Sequence, residues 1–510
     1  MTKQFDFAQG EISRFYDPLY EVVIFRPGSG GNLPYLEALI SGDVTGKADE
    51  STGKAMPHLH DLINCPEMNR LNFLRQMGLA WLVYPSATHT RFAHSLGCWV
   101  LGQKAMNNVW MQTTIGHEFP ERLYDWLRER GLLDEFMLSL LLHDLGHFPF
   151  SHIIENNDEF QDIKHETVTC DLLKGEGENF QLFKNYFDTL ESSTASTRYK
   201  VFEILRRFDV DVGIMCSLIS LNFSYLHSER AKELEKDVKV LAQLVSGIID
   251  LDRLDHYRRD SYFIGVRVGQ FNVDTLLNEM TISTSDSEGV PGGKVVLLDD
   301  GIFQAFAVLF SKDQLVRNVF NNPDNVAYEA MFNYCLTKFL KANPSFEKNR
   351  ILAFTDDELF QMLLLNLDPD AKEIMKRIRN RLPFFLVGQY LVMNPGFRNR
   401  KKLNELRQEI LANCSAEGTK LQESDVLFRI PRKLGYNAAK VDHDWMNLDR
   451  IVNKNNQSLK LTEHRGEFIR YLEETEKKEK ECFWIFGSSD KVRRAVDNYI
   501  KNINFLRKLE

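Results

Sequence analysis

No apolar run in this sequence is long enough to cross a bilayer. The two longest, Met137 to Leu142 and Phe384 to Met393, fall far short of the roughly 20 residues that a spanning helix needs. The opening residues, MTKQFDFAQG, lack the apolar centre of a secretory signal. Together these absences predict a cytoplasmic protein with no membrane partner. Cysteine is sparse, and Cys65, Cys98, Cys170, Cys216, Cys335, Cys414 and Cys482 stand singly without CxxC spacing, so neither a disulfide framework nor a thiolate zinc site is expected. A basic surplus is missing too: 63 Lys and Arg against 72 Asp and Glu leave a net charge of -9, which argues against a nucleic-acid partner. The local exception, Arg398 to Lys402, follows Asn394-Pro395-Gly396 and reads as a solvated loop. The stretch GSGG at 28–31 has no GK[ST] behind it and is not a phosphate loop.

What is present is the composition of a globular protein with a large core, 43% hydrophobic and 26% charged over 510 residues. Residues 1–57 read as an N-terminal hairpin, with Asp17-Pro18 at its turn, followed by an exposed Gly- and Ser-rich insertion. From residue 58 to 420 the apolar spacing is helical, with Pro66 opening one helix, and it is interrupted by a small hairpin near 281–300. Residues 421–510 alternate as an α+β appendage: a strand VLFRI, a helical stretch around Glu463 to Lys480, a strand CFWIF, and a last helix capped by Ser489. The fold class expected is therefore mainly α, a helical core with a small α+β C-terminal appendage.

Chemistry concentrates in Phe136 to His152, FMLSLLLHDLGHFPFSH. A helix over Met137 to Leu142 would be buried on every side, yet it delivers His143 and Asp144 together at its end. An ionised Asp in such a place is strongly unfavourable without a partner, and a divalent cation would satisfy both groups at once. Gly146 is expected to stop this helix, and Pro149 to prevent its continuation. Seven of the 13 histidines (His89, His94, His117, His143, His147, His152, His165) fall in this part of the chain, where an even spread would leave about two.

Four strings occur in order: Arg91-Phe-Ala-His94-Ser-Leu-Gly, then His143-Asp144, then His165-Glu166, then Asp250-Leu-Asp252-Arg-Leu-Asp-His-Tyr-Arg-Arg-Asp260. Over roughly residues 58 to 335 the chain resembles the HD-domain phosphohydrolases and, within them, the deoxynucleoside triphosphate triphosphohydrolases. The resemblance implies that His94, His143, Asp144 and Asp252 bind a catalytic metal. Two imidazoles and two carboxylates would independently suit a divalent ion such as Fe, Mn, Zn or Mg. It further implies that His152 and His165 are the acid–base pair oriented by Glu155, and that His147 touches the α-phosphate. Arg91, Arg253 and Arg317 would grip the triphosphate; Gln76 and Asp260 would bond the sugar 3′-hydroxyl, Met77 would crowd the 2′ position, and Tyr328 would stack on the sugar.

Two departures from the family pattern stand out. His256 replaces a phosphate-contacting tyrosine, and Asn64, Asn69 and Asn72 stand where the human relative reads an activating guanine nucleotide with a charged pair. The Asp255 and Arg259 spacing, together with Arg258, reads as ion pairs on a solvated helix face. The function implied is hydrolysis of a deoxynucleoside triphosphate substrate to deoxynucleoside and tripolyphosphate, in a homo-oligomer with a nucleotide effector. The alternatives are an HD phosphohydrolase acting on another nucleotide and a nucleotide-sensing scaffold with weak catalysis.

Overall fold

Helix Leu133–Leu142 lies at the centre of the helical core, and its sequence explains why: every side chain from Glu135 to Leu142 is buried, as a helix apolar on all faces requires. Helices Arg91–Asn108, Val212–Ser220 and Glu235–Ser246 pack around it, while Leu251–Ile264 lies against Arg91–Asn108 and His165–Lys174 against Val212–Ser220. These elements come from a computed structural model, which describes residues 14–24, 59–112, 121–160, 162–190, 200–206, 210–247, 249–283, 293–298, 301–392, 400–416, 418–430, 450–452, 458–460, 482–501 and 506–508. The fold is mainly α, as the apolar spacing predicts. No helix among the described residues is long and apolar enough to cross a membrane. The insertion at 27–56 and the helical stretch around 463–480 lie outside the described residues.

Local signals place several elements where they are expected. Strands Arg14–Asp17 and Glu21–Ile24 pair as an antiparallel hairpin, Pro66 begins helix Pro66–Arg70, and Ser489 caps helix Asp490–Ile500 through a bond from the Val492 N–H. The strands are more extensive than local pattern suggests. Met280–Ser283 and Lys294–Leu298 form the expected hairpin, but they sit inside a six-stranded sheet with Trp110–Gln112, Glu121–Arg122, Arg450–Val452 and Ser458–Lys460. The C-terminal sheet has the order Val426–Arg429, Cys482–Gly487, Phe385–Val392, Leu506–Lys508, all antiparallel. Its inner strand Phe385–Val392 comes from the apolar run noted above, and helix Arg400–Asn413 contributes Leu406, Ile410 and Leu411 to a second apolar cluster beside it. The α+β region therefore begins near residue 385, earlier than the 421 that composition suggests: the run is short enough to be a strand, with Val387 and Tyr390 in the second apolar cluster and Leu386 against the main one.

Gly146 has a different task from the one its position suggests. Helix Leu133–Leu142 already ends at Leu142, with His143 as its cap. A Cβ on Gly146 would lie 2.4 Å from both the His165 carbonyl oxygen and the Thr169 nitrogen. The glycine lets the 143–146 turn sit directly on the first turn of helix His165–Lys174. Thr169 Oγ1 joins the two, accepting from the Gly146 N–H at 2.9 Å and donating to the His143 carbonyl at 3.0 Å. This contact sets His165 relative to His143 and Asp144. Because the atoms in the way are backbone, Gly146→Ala should destabilise the protein by about 1–3 kcal/mol or more, the range for overpacking a core. Chemical denaturation of the two proteins checks this.

Candidate metal centre and acid–base pair

Three segments bring candidate ligands to one point. Thr90 caps helix Arg91–Asn108, so Arg91 and His94 lie in its first turn. The end of helix Leu133–Leu142 supplies His143 and Asp144, and helix Leu251–Ile264, capped by Asp250, supplies Asp252 in its first turn. His94 Nε2 lies 3.0 Å from Asp252 Oδ1 and 3.9 Å from Asp144 Oδ2. His143 Nε2 lies 3.3 Å from Asp144 Oδ1 and 3.8 Å from Asp252 Oδ1.

The orientation of each imidazole is set from behind. His143 Nδ1 is 3.0 Å from the Leu140 carbonyl and His94 Nδ1 is 2.7 Å from Asp255 Oδ2, so both rings give their Nδ1 proton away and turn Nε2 toward the carboxylates. His143 Nε2 is buried and makes no hydrogen bond. Two nitrogen and two oxygen donors this close, one of them an orphaned buried atom, fit a divalent cation. His94, Cys98, His143 and Asp252 form a cluster of potential ligands, and so do Asp144, His147 and His165. Burial opposes ionisation of Asp144, but Arg91 and the two histidines outweigh it and hold the carboxyl down at about 2. Asp252 is likewise held well below its ordinary value, burial being outweighed by His143 and His94.

Beside this cluster is a carboxylate with a histidine on each oxygen. Glu155 Oε2 is 2.7 Å from His152 Nδ1, and Oε1 is 2.5 Å from His165 Nδ1. Burial pushes His165 down, but the Glu155 charge and hydrogen bond prevail and raise it to about 9. His147 stacks on His165 with ring centroids 3.8 Å apart, and burial with the charges of Arg91 and its neighbouring histidines keeps it well below the ordinary value. One ring of the stack is therefore neutral and the other cationic. His152 is the most open of this group, with 40% of its side chain exposed.

His152 owes its place to a strained turn. Phe150 (φ 52°) and Ser151 (φ 48°) both adopt positive φ, which non-glycine residues rarely do. Fully buried Asp356 accepts from the Phe150 N–H at 2.7 Å and from the Arg75 N–H at 2.9 Å. Ser151 Oγ accepts from Arg91 Nε and Nη2 at 2.9 and 2.8 Å.

Several expected contacts are placed otherwise. Arg91 is buried, bonding Asp144 Oδ2 at 2.6 Å and Ser151, so it positions the ligand and the turn rather than presenting an open phosphate grip. Asp260 is fully buried, with its oxygens 2.7 Å from His89 Nε2 and His256 Nδ1, which leaves no surface for a sugar hydroxyl. Met77 is in the core. Tyr328 is buried too, and the charges around its hydroxyl are Asp324, Arg381 and Arg377, none of them at the site. Phe320 is the aromatic that this segment brings in, its ring 6.3 Å from His256, in a π-helical turn (Val316–Phe320) that also carries Arg317. Gln76 is buried with its Oε1 unbonded. Arg253 bonds Asp250 and the Gly247 carbonyl, and Arg317 bonds Asp313 at 2.7 Å. Arg259 is not on a solvated face: it is fully buried against Asp255. Sequence reasoning gave no role to Ser151 or Asp356, counted His89 only within the histidine cluster, and read Asp255 as half of an exposed pair. The i, i+4 spacing of Asp255 and Arg259 is itself a signal, but an ambiguous one, since exposed and buried pairs share it.

Residues 91–245 match the HD domain family model, so the chain contains an HD domain. It is similar to an uncharacterised protein of Methanocaldococcus jannaschii, 27% identical over 66% of this chain. It is also similar to the deoxynucleoside triphosphate triphosphohydrolase SAMHD1 homolog of Dictyostelium discoideum, 24% identical over 79% of this chain and 70% of that protein. The match spans only 57% of the archaeal relative's length. Among solved structures, a phosphohydrolase of Bacteroides thetaiotaomicron shares the fold, with a TM-score of 0.57, 19% identity and coverage of 93% of this chain and 100% of that one.

Asp252→Ala should abolish uptake of Mn²⁺ or Fe²⁺ on dialysis while leaving the helical circular dichroism nearly unchanged, as metal analysis would establish. Asp144→Ala should also lose metal, and should in addition destabilise the protein by about 3–5 kcal/mol because Arg91 is left buried without its carboxylate. An imidazole titration by NMR should place His165 near 9. In Glu155→Gln the charge that raises it is gone, so His165 should deprotonate several pH units lower, at or below the ordinary value of about 6.5.

Proposed function

We propose that this protein is a metal-dependent phosphohydrolase that converts deoxynucleoside triphosphates to deoxynucleoside and tripolyphosphate. The observation that carries the reading is the Glu155 carboxylate shared by His152 and His165 at the edge of the four-ligand cluster. Similarity to the Dictyostelium triphosphohydrolase supports the choice of substrate. A divalent ion held by His94, His143, Asp144 and Asp252 supplies Lewis-acid stabilisation of phosphate negative charge and lowers the pKa of water. The protein's own groups do the rest. Glu155 fixes His152 through Nδ1, so Nε2 points outward as a proton donor to the departing sugar 5′-oxygen, and His165 shares the same carboxylate. Neutral His147 offers a hydrogen bond to an α-phosphate oxygen. Arg253, Arg317 and His256, with 35%, 29% and 23% of their side chains exposed, take the remaining phosphates. Gln76 Oε1, which has no hydrogen-bond partner among the described residues, accepts from the sugar hydroxyl.

The working unit is a homo-oligomer with a nucleotide effector, its contacts supplied by the insertion at 27–56 and the C-terminal α+β region. The enclosure of Asp260 and Met77 removes two of the groups expected to recognise deoxyribose. That favours, as a second reading, an HD phosphohydrolase acting on another nucleotide.

Incubation with each dNTP and NTP in Mn²⁺ or Mg²⁺, with products resolved by ion exchange, separates the two. Tripolyphosphate and deoxynucleoside are expected, with oxygen from isotopically labelled water entering tripolyphosphate and not the nucleoside. Release of monophosphate and pyrophosphate, or turnover confined to another nucleotide, refutes the first reading. His152→Ala should lower turnover by about 10²- to 10⁴-fold with metal content retained, the range for loss of a general acid.

A further inference from the structure

The N-terminal hairpin is remote in sequence from every ligand, yet it ends on the support of one of them. Asp17 closes its own turn with Oδ1, which accepts from the Leu19 and Tyr20 N–H groups at 2.9 and 3.2 Å. Its other oxygen, Oδ2, accepts from Arg259 Nη1 at 2.6 Å. Arg259 forks onto Asp255, donating from Nε to Oδ2 at 2.8 Å and from Nη2 to Oδ1 at 3.0 Å. Asp255 Oδ2 in turn takes the Nδ1 proton of His94 at 2.7 Å.

All four groups are buried: side-chain exposure is 6% for Asp17, 0% for Arg259 and Asp255, and 1% for His94. The space exists because residue 97 is glycine; a Cβ there would lie 2.1 Å from Asp255 Oδ1 and 2.5 Å from Arg259 Nη2. Arg258 and Arg259 also approach the Tyr20 ring of the hairpin, at 5.6 and 5.9 Å.

We propose that Asp17, acting through Arg259 and Asp255, is a positioning residue for the metal ligand His94, so that docking of the N-terminal hairpin tunes the metal affinity of the site. This rests on the metal-centre reading above. The partner of a ligating imidazole sets its tautomer and ring angle, and losing such a partner typically costs about 10- to 100-fold in metal affinity. A buried guanidinium does not tolerate unpaired N–H groups. Without Asp17, Arg259 keeps Asp255 as its remaining carboxylate, and re-aiming the guanidinium toward it shifts the oxygen that holds His94.

The test is Mn²⁺ binding by chelator competition in the full chain, comparing wild type, Asp17→Asn and Asp255→Asn, with the visible spectrum of the Co²⁺-loaded proteins as a second readout. Asn at 17 keeps an amide oxygen for the Leu19 and Tyr20 N–H groups but presents no charge to Arg259. Affinity should fall about 10- to 100-fold in Asp255→Asn, and in the same direction by about 3- to 10-fold in Asp17→Asn. The Co²⁺ bands should move in both. Wild-type affinity and spectrum in Asp17→Asn, even with a lowered unfolding temperature, overturn this inference alone. Absence of uptake by the wild-type protein overturns the metal reading and this inference with it. Should Asp17→Asn not fold, Arg259→Lys, which keeps the charge but cannot span both carboxylates, carries the same test.

Discussion

Ionised carboxylates in an apolar core must be paired, and most of this structure's functional architecture follows from that requirement. Asp144 follows directly from a helix with no exposed side chain in its last two turns, where an unpaired charge would be prohibitively unfavourable. Arg91 answers it from the first turn of a neighbouring helix, and the same guanidinium reaches Ser151. One cation therefore holds both a ligand and the turn that carries His152. Asp255 repeats the pattern one layer deeper, with Arg259 on one side and His94 on the other.

The two halves of the site use one device for different purposes. In each, a carboxylate receives the Nδ1 proton of a histidine and thereby aims Nε2. At His94 the aimed nitrogen faces two further carboxylates and suits a cation. At His152 it faces outward and suits proton transfer. Environment then separates the histidines that are chemically alike. His147, deeply buried and beside positive charge, is kept neutral, while His165 against Glu155 is kept cationic, though their rings are in van der Waals contact. Titratable neighbours driven apart in this way are what acid–base work at neutral pH requires.

Backbone geometry supports the arrangement at two points. Gly146 permits a backbone-to-backbone approach that registers His165 against His143 and Asp144. The positive-φ pair Phe150 and Ser151 is maintained by buried Asp356 and by Arg91, so its strain is offset by bonds to groups already held in the core.

The sequence by itself determined that the fold is mainly helical, that a wholly apolar helix ends in His143-Asp144, and that histidines gather around it. Apolar period, capping residues and residue clustering are local properties, and they survive without knowledge of the partner elements. Glu155 and His152, three residues apart on one helical turn, were reached only through the family resemblance of the strings around them. Only the tertiary structure decided which charged groups meet. Asp255 and Arg259 have the spacing of an exposed helix pair, and their burial depends on a glycine 158 residues before Asp255 and on a hairpin 242 residues before Arg259. Asp260 is enclosed by His89 and His256, and the charges around the buried Tyr328 are those of Asp324, Arg381 and Arg377, surroundings that no local pattern encodes. Strand pairing was hidden for the same reason: the Phe385–Val392 run shows its burial in its own residues, but its neighbours in the sheet come from 90 residues and more downstream.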